Sequence, residues 1–249
     1  MTVEFLAILG LIAVLSVVQS SFGMGVLVFG TPTLLLAGYD FITTLSYLLP
    51  ASFAISLLQV LGGLRERPAI SPHLYLLCLP GIVAGLWLVG DSAKASWTSI
   101  LVGGTLLLSA LVRSWAPSRA LMTRLLEKHI ATYHLLMGIL HGMTNLGGAM
   151  LAILASGTNT EKVAIRYTVA HYYLAFSLVQ MLLLAVFMGH VDALTANWPG
   201  AVVSASIYLL IGNRIFIRTT DQTYNVALTL FIAIYGIAVL LKTLPIFPA

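Results

Sequence analysis

The chain has 249 residues, of which 59% are hydrophobic and 8% charged, with a mean hydropathy of +1.01 and a formal net charge of +4. A water-soluble domain carries about 25% charged residues, so the composition excludes one and points to an integral membrane protein. The positive charge falls between apolar runs, where retention on one side of a bilayer accounts for it, and no nucleic-acid partner is expected.

The runs are about 17–25 residues long, the length a helix needs to cross a bilayer, and lack the alternating ten-residue strands of a barrel. The expected fold is all-α. Glu4 stands where a signal peptide would carry Lys or Arg, so the first run reads as retained. The single cysteine, Cys78, excludes an intrachain disulfide and reads as a small core residue.

The first block, 5–37, would be roughly 50 Å long as one helix, too long for a straight span. Ser20, Ser21, Gly23 and Gly25 interrupt it at a depth where lipid offers no hydrogen bonds. Runs at 41–62, 74–90 and 97–112 follow, and then a polar connector holding Arg113, Arg119, Arg124 and Lys128. The pattern repeats: a block at 130–155 is interrupted at Thr144, Asn145, Gly147 and Gly148, and runs at 163–189, 199–211 and 224–241 follow. Ala54, Ser56, Leu57 and Gln59 align with Ala175, Ser177, Leu178 and Gln180, and Pro80-Gly81 with Pro199-Gly200, as an internal duplication would place them. The chain thus divides into a first membrane repeat (1–115), a basic connector (116–128) and a second membrane repeat (129–249).

The 12 Lys and Arg residues test the topology. If both long blocks cross once, they split seven to five; if each block dips in and leaves on the side it entered, Lys162, Arg166, Arg214 and Arg218 join the connector side, Lys242 leaves it, and the split becomes ten to two. The positive-inside rule prefers the second arrangement, with the connector cytoplasmic and both termini outside. The fold expected is therefore a polytopic all-α membrane protein of two inverted repeats, each a broken or re-entrant helical hairpin plus three spanning helices. The hairpin tips would meet near the midplane, and the helices restarting after the breaks would aim positive dipole ends at them, which favours an anion.

At these residues the chain resembles the sulfite exporter TauE/SafE family of membrane permeases. The resemblance rests on the glycine-rich stretch from Phe22-Gly23-Met24-Gly25 to Gly30-Thr31-Pro32 with Gly38-Tyr39-Asp40, and on Gly138 to Gly142, Gly147-Gly148 and Gly157-Thr158. It covers about 5–241 and departs in having a short Gly-Met-Gly run and no proline in the second arm. It implies transport of a small sulfur-containing or organic anion, such as sulfite or a sulfonate, across a bacterial inner membrane.

Candidate substrate-binding residues follow. Ser20, Ser21, Thr144 and Asn145 offer side-chain hydrogen bonds beside the amides of Phe22, Gly23, Gly25, Gly147 and Gly148, although small residues also serve close helix packing. Gln59 and Gln180 occupy matching places in apolar runs, suited to bonding freed backbone or to facing the cavity. His141 directly precedes the second break, His134 lies on the same helical face, and His171 opens the helix that follows; each reads as a contact or as a hydrogen-bonded core residue. Arg166 reads as a positive-inside anchor or as an attractor of anions. Two histidines without a carboxylate or cysteine make a poor metal site, and no metal or cofactor is expected.

None of the eight acids lies deep in a span, which leaves coupling to a proton through histidine, to sodium, or to no ion. No phosphate-loop signature appears. The expected function is that of a secondary transporter working by alternating access, with an anion channel and an intramembrane hydrolase as the alternatives; no enzyme activity is expected. Expected partners are the anion, the lipid bilayer, the coupling ion and a second copy of the chain.

Overall fold

A computed structural model describes residues 2–63, 68–89, 104, 107–108, 110–111, 114 and 116–243. Most of the expected run 97–112 and the basic positions Arg65, Arg67, Lys94 and Arg113 lie outside the described residues. No strand occurs among those described, and four helical stretches are long and apolar enough to cross a membrane: Val3–Phe22, Phe41–Gly62, Lys162–Phe187 and Val191–Arg218. The protein is an all-α, multi-pass membrane protein.

Helix α1 (Val3–Phe22) opens on Thr2, whose hydroxyl accepts the Phe5 N–H, and ends at Gly23, left-handed at φ 80°. Helix α2 (Val26–Leu36) restarts after a three-residue bend, and α3 (Phe41–Gly62) follows with Asp40 as its N-cap. A π turn (Leu74–Cys78) leads into α4 (Leu79–Val89). Helix α5 (Ala116–Thr144) carries the connector sequence as helix and kinks at His129, where φ is −127° and ψ 31°. After the second bend come α6 (Gly148–Thr158) and α7 (Lys162–Leu182), which runs on as a π turn (Leu183–Phe187). Helices α8 (Val191–Ala196), α9 (Trp198–Ile207) and α10 (Asn213–Arg218) form one long rod, and α11 (Asp221–Thr243) closes the chain.

Contacts at the helix ends set the direction of each element. Tyr39, beyond the end of α2, donates to the Glu4 carboxylate in the first turn of α1 at 2.5 Å, so this broken element starts and finishes at one end of the bundle. That bond pushes the Tyr39 phenol up to about 12, which keeps it a donor through neutral pH. Helix α3 runs about 33 Å from there to the opposite end, where a Cβ at Gly63 would come 2.7 Å from the Tyr167 ring of α7. At this second end Lys162 donates to the α10 carbonyls of Phe216 (3.0 Å) and Ile217 (3.4 Å) and to Thr219 O, placing a cation where helix-end carbonyls carry partial negative charge. Asn159, just past α6, donates to Thr168 of α7, so α6 also finishes here.

Helices α4 and α5 cross with almost no side chain between them. A Cβ at Gly138 would lie 2.1 Å from Cys78 O, one at Gly142 2.2 Å from Ile82 O, and one at Gly85 2.3 Å from Ile139 O. Only hydrogen at these positions permits so close a backbone approach.

Asp40 accepts the Thr43 N–H at 2.9 Å. Burial alone would raise its carboxyl, but hydrogen bonds from Thr43 and the backbone of Ile42 outweigh it and hold the carboxyl below its usual range. We expect Asp40→Ala to destabilise the protein by about 1 kcal/mol in thermal unfolding at neutral pH. Because the folded value is depressed, the capping contribution is present above the ordinary carboxylate range and fades as pH falls through the lowered value, so the gap between wild type and variant should narrow below about pH 4.

Candidate functional site

Both bends are built the same way. At the first, the N–H of left-handed Gly23 donates to Gln19 O at 2.7 Å, and the Gln19 side chain reaches past the break to accept the Val26 N–H at 2.9 Å. At the second, the N–H of Asn145, left-handed at φ 61°, donates to His141 O at 2.7 Å, and His141 Nδ1 accepts the Gly147 N–H at 3.2 Å. Each break is thus bridged by a buried polar side chain from the last turn of the helix before it, which satisfies amides that lipid would leave unpaired. The second bend meets the helix that restarts after the first, where Asn145 Nδ2 donates to Thr31 Oγ1 of α2 at 2.7 Å.

The helix after each bend completes the bridge, to different degrees. In α3, Ser52 O, Ser52 Oγ and Ser56 Oγ accept from Gln19 Nε2 at 3.2–3.3 Å, and Gln59 Nε2 donates to Gln19 O (2.9 Å) and Ser20 O (3.2 Å). Of this group only Gln59 Oε1 is left without a partner. In α7 the matching positions are Tyr173, Ser177 and Gln180, and they are not closed in this way. Tyr173 sits against His141 with ring centroids 6.0 Å apart, and a Cβ on Gly148 would meet Tyr173 Oη at 2.0 Å and Val28 Cγ2 at 2.2 Å. The bends are packed shut: Gln19, Ser20, His141, Asn145 and Gln180 are all fully buried.

The remaining candidates divide by what holds them. Ser20, Ser21 and Thr144 donate to carbonyls one turn back, at Ser16 (2.6 Å), Val17 (3.0 Å) and Leu140 (2.6 Å). Phe22 packs against Tyr224 and Phe231, with centroids 5.5 and 6.3 Å away. Of the expected glycine amides, those of Gly23 and Gly147 have protein acceptors in Gln19 O and His141 Nδ1. A Cβ at Gly25 would lie 2.6 Å from Gln19 N, so this glycine serves the close turn of chain on α1. His171 faces the π turn before α4, where its Nε2 pairs with Tyr75 Oη at 2.6 Å, two residues and about 200° of helix away from the face carrying Tyr173. His134 pairs with Tyr172 Oη at 2.7 Å and Ile130 O at 2.8 Å.

Arg166 of α7 occupies the end of the first bend. It is 8% exposed, donates to Ser20 O (3.3 Å) and Asn213 Oδ1 (3.2 Å), and stacks on Phe216 with Cζ 3.4 Å from the ring centre. No carboxylate neutralises it among the described residues. A crevice of about 560 Å³ lies at the same end of the bundle, lined by Ser156, Asn159, Ile165 and Thr229 among others. The sequence places Gln19 at the start of the first interrupted stretch but gives it no role of its own, and it passes over Thr31 and Tyr173 as site residues. Extending the near-constant offset of 121–122 residues from Gln59/Gln180 back to Ser52/Tyr173 and Gln19/His141 would have found two of them.

The model of the family described as sulfite exporter TauE/SafE matches residues 6–239 of the chain. No curated protein and no solved structure matches.

Replacing Gln19 by leucine strands the Val26 N–H and removes the ties to Ser52 and Ser56. We expect Gln19→Leu to destabilise the protein by on the order of 2–3 kcal/mol, read by thermal or denaturant unfolding in a fixed detergent.

Proposed function

We propose that this chain, which belongs to the sulfite exporter TauE/SafE family of membrane transporters of sulfur compounds, is a secondary transporter that moves a small sulfur-containing anion such as sulfite or a sulfonate by alternating access. The observation that carries the proposal is the pair of like-built bends buried inside the bundle. Each ends one helix and starts another, and the second touches the helix that follows the first through Asn145 and Thr31.

Several features support this reading. Helices α2 and α6 each begin at a buried bend and point positive dipole ends into an interior that holds no acidic side chain among the described residues. The first broken element returns to the Glu4 end, while α6 finishes at the Lys162 end, as two inverted halves would. Lys162, Arg166, Arg214 and Arg218 gather at that second end, which we assign to the cytoplasm of a bacterial inner membrane, with both termini outside. Closed bends suit the occluded stage of such a cycle. A proton or sodium gradient would drive it, and the unit would be the monomer or a homodimer. The residues at the bends, Ser20 to Gly25 and His141 to Gly148 with Gln59 and Gln180, form the surfaces that part and close.

Reconstituted into liposomes, the protein should take up labelled sulfite with saturable kinetics. Gly148→Ala, whose methyl displaces Tyr173 Oη, should remove most of that uptake. Ohmic single-channel currents would replace the transporter with a channel, and labelling of Ser20 or Ser21 by a fluorophosphonate would favour an intramembrane hydrolase.

A further inference from the structure

The two halves carry the same four-residue constellation: Gln19, Ser52, Ser56 and Gln59 in the first, His141, Tyr173, Ser177 and Gln180 in the second, at offsets of 121–122 residues. They differ in one physical respect. The first-half set is bonded to itself and to freed backbone, leaving over one amide oxygen. In the second-half set His141 Nε2, Tyr173 Oη, Ser177 Oγ and both amide atoms of Gln180 are fully buried without a hydrogen-bond partner. Gln180 approaches His141, but closing that contact would use His141 Nε2 and one amide atom and leave the two hydroxyls and the other amide atom as they are, so an anion entering the set would take the place of that contact.

Native interiors rarely leave such groups unmet, and so many in one place mark a position where something else binds. Ser177 departs from the habit of this chain: Ser16, Ser20, Ser21, Thr33 and Ser156 all turn their hydroxyls back to a carbonyl one turn earlier, and Ser177 does not.

The chemistry of the set identifies the ligand. His141 Nδ1 accepts the Gly147 N–H, and a backbone amide can only donate, so neutral His141 carries its proton on Nε2, facing the cluster. The set then offers donors from His141 Nε2, Tyr173 Oη, Ser177 Oγ and Gln180 Nε2, with no buried carboxylate among the described residues to oppose an anion. Tyr173, Ser177 and Gln180 are spaced four and three residues apart and share one face of α7; Arg166 lies on that same face, about 10 Å nearer the end of the bundle. The stripe therefore runs from a buried, unneutralised guanidinium to a group of neutral donors.

Resting on the transporter reading above, we propose that the anion is held in the second half alone, its three sulfur-bound oxygens taken by His141 Nε2, Tyr173 Oη, Ser177 Oγ and Gln180 Nε2. The matching first-half set is a structural clasp. A site of neutral dipoles binds an anion without the deep trap that a contacting cation would make, which suits a carrier that must release its load. Arg166 draws the anion to the stripe from outside hydrogen-bond reach. Sulfite and a sulfonate headgroup present the same three oxygens.

The test compares the halves in the purified full chain, using sodium sulfite and sodium methanesulfonate as probes, calorimetric binding and thermal unfolding as readouts, and liposome uptake alongside. Tyr173→Phe and Ser177→Ala should each weaken sulfite binding about tenfold or more. Neither should lower the unfolding temperature, because each removes a polar atom that has no protein partner. Ser52→Ala and Ser56→Ala should lower the unfolding temperature and leave sulfite affinity as in wild type. Methanesulfonate binding that falls with sulfite binding supports recognition of the shared oxygens. Second-half variants that bind sulfite as wild type does, or that only lose stability as removal of a trapped water's partner would cause, overturn the subsite while the transporter reading stands. Wild type that neither binds nor moves either probe overturns both. Should Tyr173→Phe fold poorly, Ser177→Ala decides alone.

Discussion

Hydrogen bonding of interrupted backbone in a place without water is the constraint on which the architecture depends. A helix that stops inside a bilayer frees amides and carbonyls, each costing several kcal/mol if unmet in hydrocarbon. Two side chains, Gln19 and His141, span the breaks themselves, each projecting from the helix that ends and reaching toward the helix that begins. The rest of the interior is arranged around these bridges. Helix α3 brings serines to Gln19, α7 brings Tyr173 to His141, and Arg166 crosses from the second half to meet the carbonyl of Ser20 in the first. The first bend is therefore tied to a segment more than 140 residues away along the chain.

The two bridges are chemically unequal. Glutamine carries a donor and an acceptor on one carbon, so Gln19 can accept from Val26 and donate to α3 at once, and its surroundings close. Histidine splits these roles across a ring, so His141 satisfies the bend with one nitrogen and turns the other away. On the proposal above, a single exchange of residue type at matching positions separates a joint from a site. Asn145, standing in the left-handed position that Gly23 holds in the first half, adds a second difference, since its side chain reaches Thr31 where glycine has none.

Much of this was legible in the chain. The breaks were readable because glycine and hydroxyl residues are the punctuation that a transmembrane helix tolerates least, and the family resemblance rested on the same letters. The pairing of Gln59 with Gln180 was readable from the offset. Which polar atoms end satisfied was not, because that depends on partners supplied from distant segments: Ser20 and Thr144 read as substrate contacts but spend their hydroxyls on carbonyls of their own helices, while Tyr173, an aromatic in an aromatic-rich run, gave no sign that its hydroxyl stands beside Gly148. Burial of Arg166 was equally hidden, since an arginine near a helix start looks the same in sequence whether it snorkels to the interface or stacks on Phe216.

The glycine-lined crossing of α4 on α5 bears on how the second bend can move. With Gly138 and Gly142 seated directly on the main chain of Cys78 and Ile82, neither helix can roll against the other without backbone collision. The two behave as one strut, and the descending limb that carries His141 is its inner edge. Any rearrangement at that bend would therefore have to be taken up by the short limb α6, eleven residues against a fixed frame.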